Sequence, residues 1–153
     1  MNRRTVLAGI GVIAANVATQ SLAASQPSIH VLKDPNCGCC SAWIDILKQD
    51  GFDVTMENST GTALFRYKFD NGIPQKMTSC HTGKIDGYMI EGHVPPADIR
   101  RLLQEQPDAV GLAVPDMPYG SPGMGPESER EAYTVYLIRK DGPPEIFTHY
   151  EAA

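Results

Sequence analysis

Asp34-Pro35-Asn36-Cys37-Gly38-Cys39-Cys40-Ser41-Ala42-Trp43 decides how the rest of the chain reads, because three of the chain's four cysteines fall here within four consecutive positions. An apolar run (Ile29, Val31, Leu32) precedes the stretch and a helix-like pattern (Trp43, Ile44, Ile46, Leu47) follows it. That succession predicts a strand, a tight loop, and a helix whose first turn is made of thiols. Unsatisfied N–H groups and the macrodipole at a helix start favour thiolate over thiol, which makes these sulfurs good nucleophiles and good metal ligands. Asn36 is the expected N-cap, and Gly38 lets the backbone turn without a side chain in the way.

Two chemistries compete for this arrangement. Cys37 and Cys40 form a C-x-x-C pair, the spacing of a thiol–disulfide oxidoreductase when it follows a strand and opens a helix. Cys39 complicates that reading, since a third thiol beside the pair would resolve or scramble a catalytic disulfide. Three clustered thiolates are also the beginning of a soft-metal site, where sulfur selects Cu(I), Zn(II) or iron–sulfur. A purely structural disulfide explains less, because cysteines this close in sequence brace almost no loop.

Upstream, residues 1–24 read as a secretory signal peptide: Arg3 and Arg4, an apolar stretch from Val6 to Ala18, and small residues before a cut after Ala23 or Ala24. Arg3-Arg4 fits twin-arginine export as well as the general secretory route. The apolar stretch is too short and too interrupted to predict a lasting membrane span. About 130 residues then remain, 25–153, enough for one domain with a modest core. The whole chain carries a formal charge of −5, and losing Arg3 and Arg4 makes the remainder more acidic still. Nucleic acid is thereby excluded as an expected partner, since phosphate binding needs a basic face. Export places the thiols in an oxidising compartment, where cysteines are paired or metal-bound.

Downstream of the thiol helix, which should end near Asp50-Gly51, Phe52 to Glu57 alternates like a half-buried strand. Asn58-Ser59-Thr60 can cap a second helix carrying Leu64, Phe65, Tyr67 and Phe69, stopped by Asp70-Asn71-Gly72. A hairpin is expected from Ser79–Ile85 and Tyr88–Glu91 across Asp86-Gly87. Pro95-Pro96 opens a third helix bearing Ile99, Leu102 and Leu103, which ends near Gln106-Pro107. The string β-α-β-α-β-β-α is the thioredoxin-like order, a mixed α/β sheet flanked by helices. Tyr133–Ile138 and Glu145–Tyr150, joined across Asp141 to Pro144, add a C-terminal hairpin.

Three segments, CGCC (37–40) with Trp43 behind it, SCHTGKIDGYMIEGHVP (79–95) and GSPGM (120–124), together resemble the CopG-type copper-resistance proteins of the bacterial periplasm. The resemblance covers nearly the whole mature chain, and the conjunction of the three motifs is more specific than CGCC alone. It implies a thioredoxin-like domain that binds copper through clustered cysteines as a multinuclear Cu(I) thiolate cluster, with a redox role toward copper. In thioredoxin-like folds the residue leading into the first hairpin strand faces the thiol helix and is usually a cis-proline. Ser79-Cys80 stands there in this chain, so the resemblance implies that Cys80 turns a fourth sulfur toward Cys37, Cys39 and Cys40. Copper ions, and other periplasmic copper-handling proteins, are the implied partners.

Four thiolates also suit a mononuclear zinc centre, although structural zinc usually takes two separate C-x-x-C knuckles. A single ion would struggle to accept both Cys39 and Cys40 from one short turn, a constraint that bridging sulfurs relax. Iron–sulfur lacks its usual spacing. His81 follows Cys80, and on an extended strand it should face away from the sulfurs. His93 could orient a ligand or bond a backbone carbonyl. Met77 is close in sequence to Cys80, and Met117 and Met124 lie on a Pro/Gly-dense loop, Asp116 to Pro126, as thioether candidates. Met56 and Met89 read as core packing. Neither His30 nor His149 has an expected role.

Copper binding on Cys37, Cys39, Cys40 and Cys80 is therefore the leading expectation. A thiol–disulfide oxidoreductase with Cys37 as nucleophile and Cys40 as resolving thiol is the second. A zinc-stabilised interaction domain is the third.

Overall fold

The computed structural model describes residues 26–153; the expected leader lies outside the described residues. Seven strands form one mixed sheet in the order β2-β1-β3-β4-β5-β6-β7. In chain order the elements are β1 (Ser28–Lys33), α1 (Gly38–Gln49), β2 (Asp53–Asn58), α2 (Gly61–Asp70), β3 (His81–Ile85), β4 (Tyr88–Glu91), α3 (Pro96–Glu105), β5 (Ala109–Ala113), β6 (Tyr133–Arg139) and β7 (Glu145–Tyr150). β1 runs parallel to β2 and antiparallel to β3, and β3 pairs antiparallel with β4. The expected β-α-β-α-β-β-α succession is present, and it is compatible with a thioredoxin-like unit. Among the described residues no helix is long and apolar enough to cross a membrane.

Strand alternation divides the core in two. Ile90, Leu112 and Leu137 face a larger cluster with Ile29, Val31, Trp43, Leu47, Ile99 and Leu102, which is the face that α1 and α3 cover. Their neighbours Met89, Ala113 and Ile138 point the other way and pack with Ile73, Met77 and, from α2, Tyr67. Each large apolar side chain buried in this way contributes about 1.5–3 kcal/mol relative to exposure.

β5 is an element that the sequence pattern did not reveal. It lies parallel to β4 and antiparallel to β6, and so joins the terminal hairpin to the first four strands. Its Ala-Val-Gly-Leu-Ala sequence is short and enclosed by prolines. Gly111 is required there, since a Cβ at that position would come within 1.8 Å of the Met89 carbonyl oxygen. Two further expectations fail at the opposite edge. β2 is an edge strand rather than a half-buried one, and Met56 is 54% exposed instead of packing in the core. Phe65 and Phe69 likewise remain largely exposed, stacked on each other along α2.

Candidate metal centre

The thiols sit where β1 hands the chain to α1. Asp34 accepts the Asn36 N–H on its side chain at 2.8 Å and turns the loop. The N-cap is Cys37 and not Asn36: the Cys37 sulfur accepts the Cys40 N–H at 3.3 Å, so a sulfur does the work usually given to a side-chain oxygen. Cys37 and Cys40 are joined as a disulfide, while Cys39 and Cys80 are free thiols. Cys40 is fully buried and the other three cysteines are half-buried.

Cys80 closes over the trio from the other side. It lies in the bend just ahead of β3, and its sulfur is 3.9 Å from that of Cys39, which is itself 3.4 Å from that of Cys37. All four sulfurs lie within 4.8 Å of one another.

His81 departs from its expected orientation. Consecutive side chains face opposite ways only within an extended strand, but β3 begins only at His81, and the bend before it lets Cys80 and His81 converge. His81 Nδ1 comes within 3.3 Å of the Cys80 sulfur, and its ring lies 4.3 Å from that of Trp43. Its Nε2 is buried without a hydrogen-bond partner. Burial first, then the nearness of His93 and Lys68, holds this imidazole well below its ordinary range, so it is neutral at pH 7.

His93 combines the two roles open to it. Its Nδ1–H donates to the Pro122 carbonyl at 2.8 Å, which fixes the tautomer and turns the Nε2 lone pair toward the Cys80 sulfur, 3.4 Å away. A ring anchored on a carbonyl with its other nitrogen facing a cysteine has the build of a metal-ligating histidine and its supporting shell. Burial lowers its basicity, partly offset by the Pro122 carbonyl. Cys80, His81 and His93 thus form a second set of ligating atoms that shares Cys80 with the sulfur group.

Burial is also the main influence on Cys80, whose thiol is pushed up to about 11, with Cys39 adding to the effect. In the metal-free chain it is a protonated thiol at neutral pH, unlike the thiolate that a helix start favours.

The Pro/Gly loop completes the wall. Gly123 lies so close to α1 that a Cβ there would sit 2.8 Å from the Trp43 backbone nitrogen and 3.0 Å from the Cys39 carbonyl oxygen. Trp43 in turn donates its indole N–H to the Val94 carbonyl at 2.9 Å, tying α1 to the segment that follows His93. Of the methionines, Met77 is buried in the smaller apolar cluster, Met117 is 50% exposed, and Met124 is half-buried with its backbone closing the loop onto Gly120 and Ser121. His30 and His149 bond Thr55 and Thr134 at the surface.

Sequence reasoning overlooked Lys68 and Glu91, which form a buried ion pair behind the Ser79–His81 bend. The available signal was positional: Lys68 falls one turn after Leu64 on the buried stripe of α2, and Glu91 ends an otherwise apolar strand.

Comparison with known proteins gives three results. A family model described as "Protein of unknown function, DUF411" matches residues 77–124. No curated protein matches. Two solved structures, "Copper resistance protein copG- Form 1" and "Form 2", are each similar to the chain at 44% sequence identity. The first covers 83% of this chain and 100% of its own with a TM-score of 0.77, and the second 82% and 98% with 0.75.

Proposed function

The chain belongs to the family of CopG copper resistance proteins, and from that premise we propose that its reduced form holds several Cu(I) ions on Cys37, Cys39, Cys40 and Cys80 in the bacterial periplasm. The observation that carries this reading is the convergence of the distal Cys80 on the helix-start trio, all four sulfurs lying within 4.8 Å of one another. Metal–sulfur bonds of about 2.3 Å space the sulfurs of a tetrahedral centre about 3.8 Å apart. The Cys39–Cys80 and Cys37–Cys39 separations of 3.9 and 3.4 Å are of that size. Soft thiolates favour Cu(I), and sulfurs shared between ions accommodate the adjacent Cys39 and Cys40 better than one tetrahedral ion does. His93, aimed and neutral, and His81 extend the set with nitrogen ligands on the Cys80 side.

Loading requires the Cys37–Cys40 bond to open. A thiol reductant supplies two electrons and two protons, giving two thiols, and the thiol protons leave as copper binds. Anaerobic Cu(I) titration of the reduced mature chain is the test. Uptake of several equivalents with metal–metal scattering in X-ray absorption is expected; a strict limit of one ion, or none, would overturn the cluster. Zinc as the sole metal in protein from unsupplemented cells would favour a zinc-stabilised domain instead.

The disulfide itself favours a second reading, thiol–disulfide exchange on Cys37 and Cys40. In that reaction the Cys37 thiolate attacks a substrate disulfide and Cys40 resolves the mixed disulfide. Insulin reduction separates the two: robust turnover by a Cys39→Ser/Cys80→Ser variant would favour exchange over copper.

A further inference from the structure

Beneath the bend that carries Cys80 lies a charged pair with no part in the reading above. Lys68 and Glu91 have side chains only 1% and 0% exposed, and they pair directly. The Lys68 ammonium has three N–H donors, and it directs them to Glu91 Oε1, to the Ser79 carbonyl at 2.9 Å and to the His81 carbonyl at 3.3 Å. Glu91 Oε1 also accepts the Ser79 backbone N–H at 2.6 Å. Ser79 and Cys80 precede the first ladder pair of β3, Lys33 with His81, so the sheet does not fix them. One ion pair therefore grips the backbone on both sides of Cys80 from the α2 side, while the Cys80 sulfur faces α1.

A buried ion pair is weak evidence for stability, because apolar residues of similar volume often replace one without loss. Its backbone partners here indicate a more local task. We propose that Lys68 and Glu91 are positioning residues for Cys80: together they clamp Ser79–His81 so that the fourth sulfur stays within reach of Cys39. The consequence for copper rests on the proposed function; the placement of the sulfur does not.

The placement is tested without metal. In a Cys37→Ser/Cys40→Ser chain only Cys39 and Cys80 remain, and diamide should join them readily. Adding Lys68→Met/Glu91→Leu, which removes the pair as a unit and strands no charge, should slow that capture by about tenfold or more while the far-ultraviolet signature is retained. Lys68→Met/Glu91→Gln keeps an acceptor for the Ser79 N–H, leaves no buried charge unpaired, and should restore part of the rate. Capture at the parental rate in the Lys68→Met/Glu91→Leu variant overturns the assignment. So does its failure to fold, which would make the pair a requirement of the fold as a whole.

With all four cysteines present, a cycle on Cu(I) retention against a competing chelator supplies the second arm. Removing the pair and making Cys80→Ser should each weaken retention, and the combined variant should retain no less than Cys80→Ser alone. Additive losses would count against a role exercised through Cys80. A parent chain that binds no Cu(I) ends the copper reading, yet the diamide experiment still decides the clamp.

Discussion

At Cys80 burial works against ionisation. Burial, then the proximity of Cys39, pushes its thiol from an ordinary value of 9.0 up to about 11. A raised value favours the protonated form, so in the metal-free chain with the Cys37–Cys40 disulfide intact Cys80 should be unreactive at pH 7 and become reactive as pH climbs toward 11. Quantifying iodoacetamide labelling of the Cys80 peptide against pH checks this; a midpoint at or below 9 would mean that the pocket is wetter than its packing indicates. Cys39→Ser should shift the midpoint downward, because Cys39 raises it. The same residues show what a sequence can convey. Cys37, Cys39 and Cys40 are legible from spacing, but the orientation of His81 is not, since it depends on whether a bend or a strand residue precedes it. Lys68 and Glu91 were missed because charged residues in a helix and at a strand end ordinarily belong to solvent.

Among the elements, the loop from Gly120 to Gly125 works as a latch. Its Pro122 carbonyl holds His93, and its Gly123, at φ +86°, rests directly on the first turns of α1. Gly123→Ala should cost about 1–3 kcal/mol from close contact and left-handed backbone together. Gly142, at φ +96° with nothing within 4 Å of an added Cβ, isolates the backbone share. Thermal unfolding should therefore place Gly123→Ala below Gly142→Ala, and equal midpoints would remove the steric argument. The elements themselves were largely readable: three helices and six of the seven strands follow from capping residues, turn signals and periodicity. β5 escaped because a short strand buried on both faces shows no alternation, and because its glycine, needed for the close approach to Met89, reads as a loop residue. The edge position of β2, and with it the exposure of Met56, depends on strand order, which local sequence does not encode.

For the whole molecule, the question is which bonds keep the site assembled when its redox state changes. The Cys37–Cys40 bond closes a loop of sequence separation 3, so in the chain-entropy account it contributes only about 2 kcal/mol. The two apolar clusters, the seven-stranded ladder, and the ties from Asp98 to Thr148 and Tyr150 that dock β7 onto α3 do not involve sulfur. Reduction should therefore leave a folded protein with a slightly lower melting temperature. Under the proposed function, Cu(I) held by all four sulfurs favours the folded chain by at most RT ln(1 + [L]/Kd), about 2.7 kcal/mol at a concentration of 100 Kd, reduced by whatever the clustered cysteines bind in the unfolded chain. Calorimetry under argon should accordingly order the melting temperatures as reduced metal-free, then oxidised, then reduced and copper-loaded. An unfolded reduced chain would contradict the independence of core and disulfide, and a copper-loaded form no more stable than the reduced one would mean that the four sulfurs do not act together on the metal.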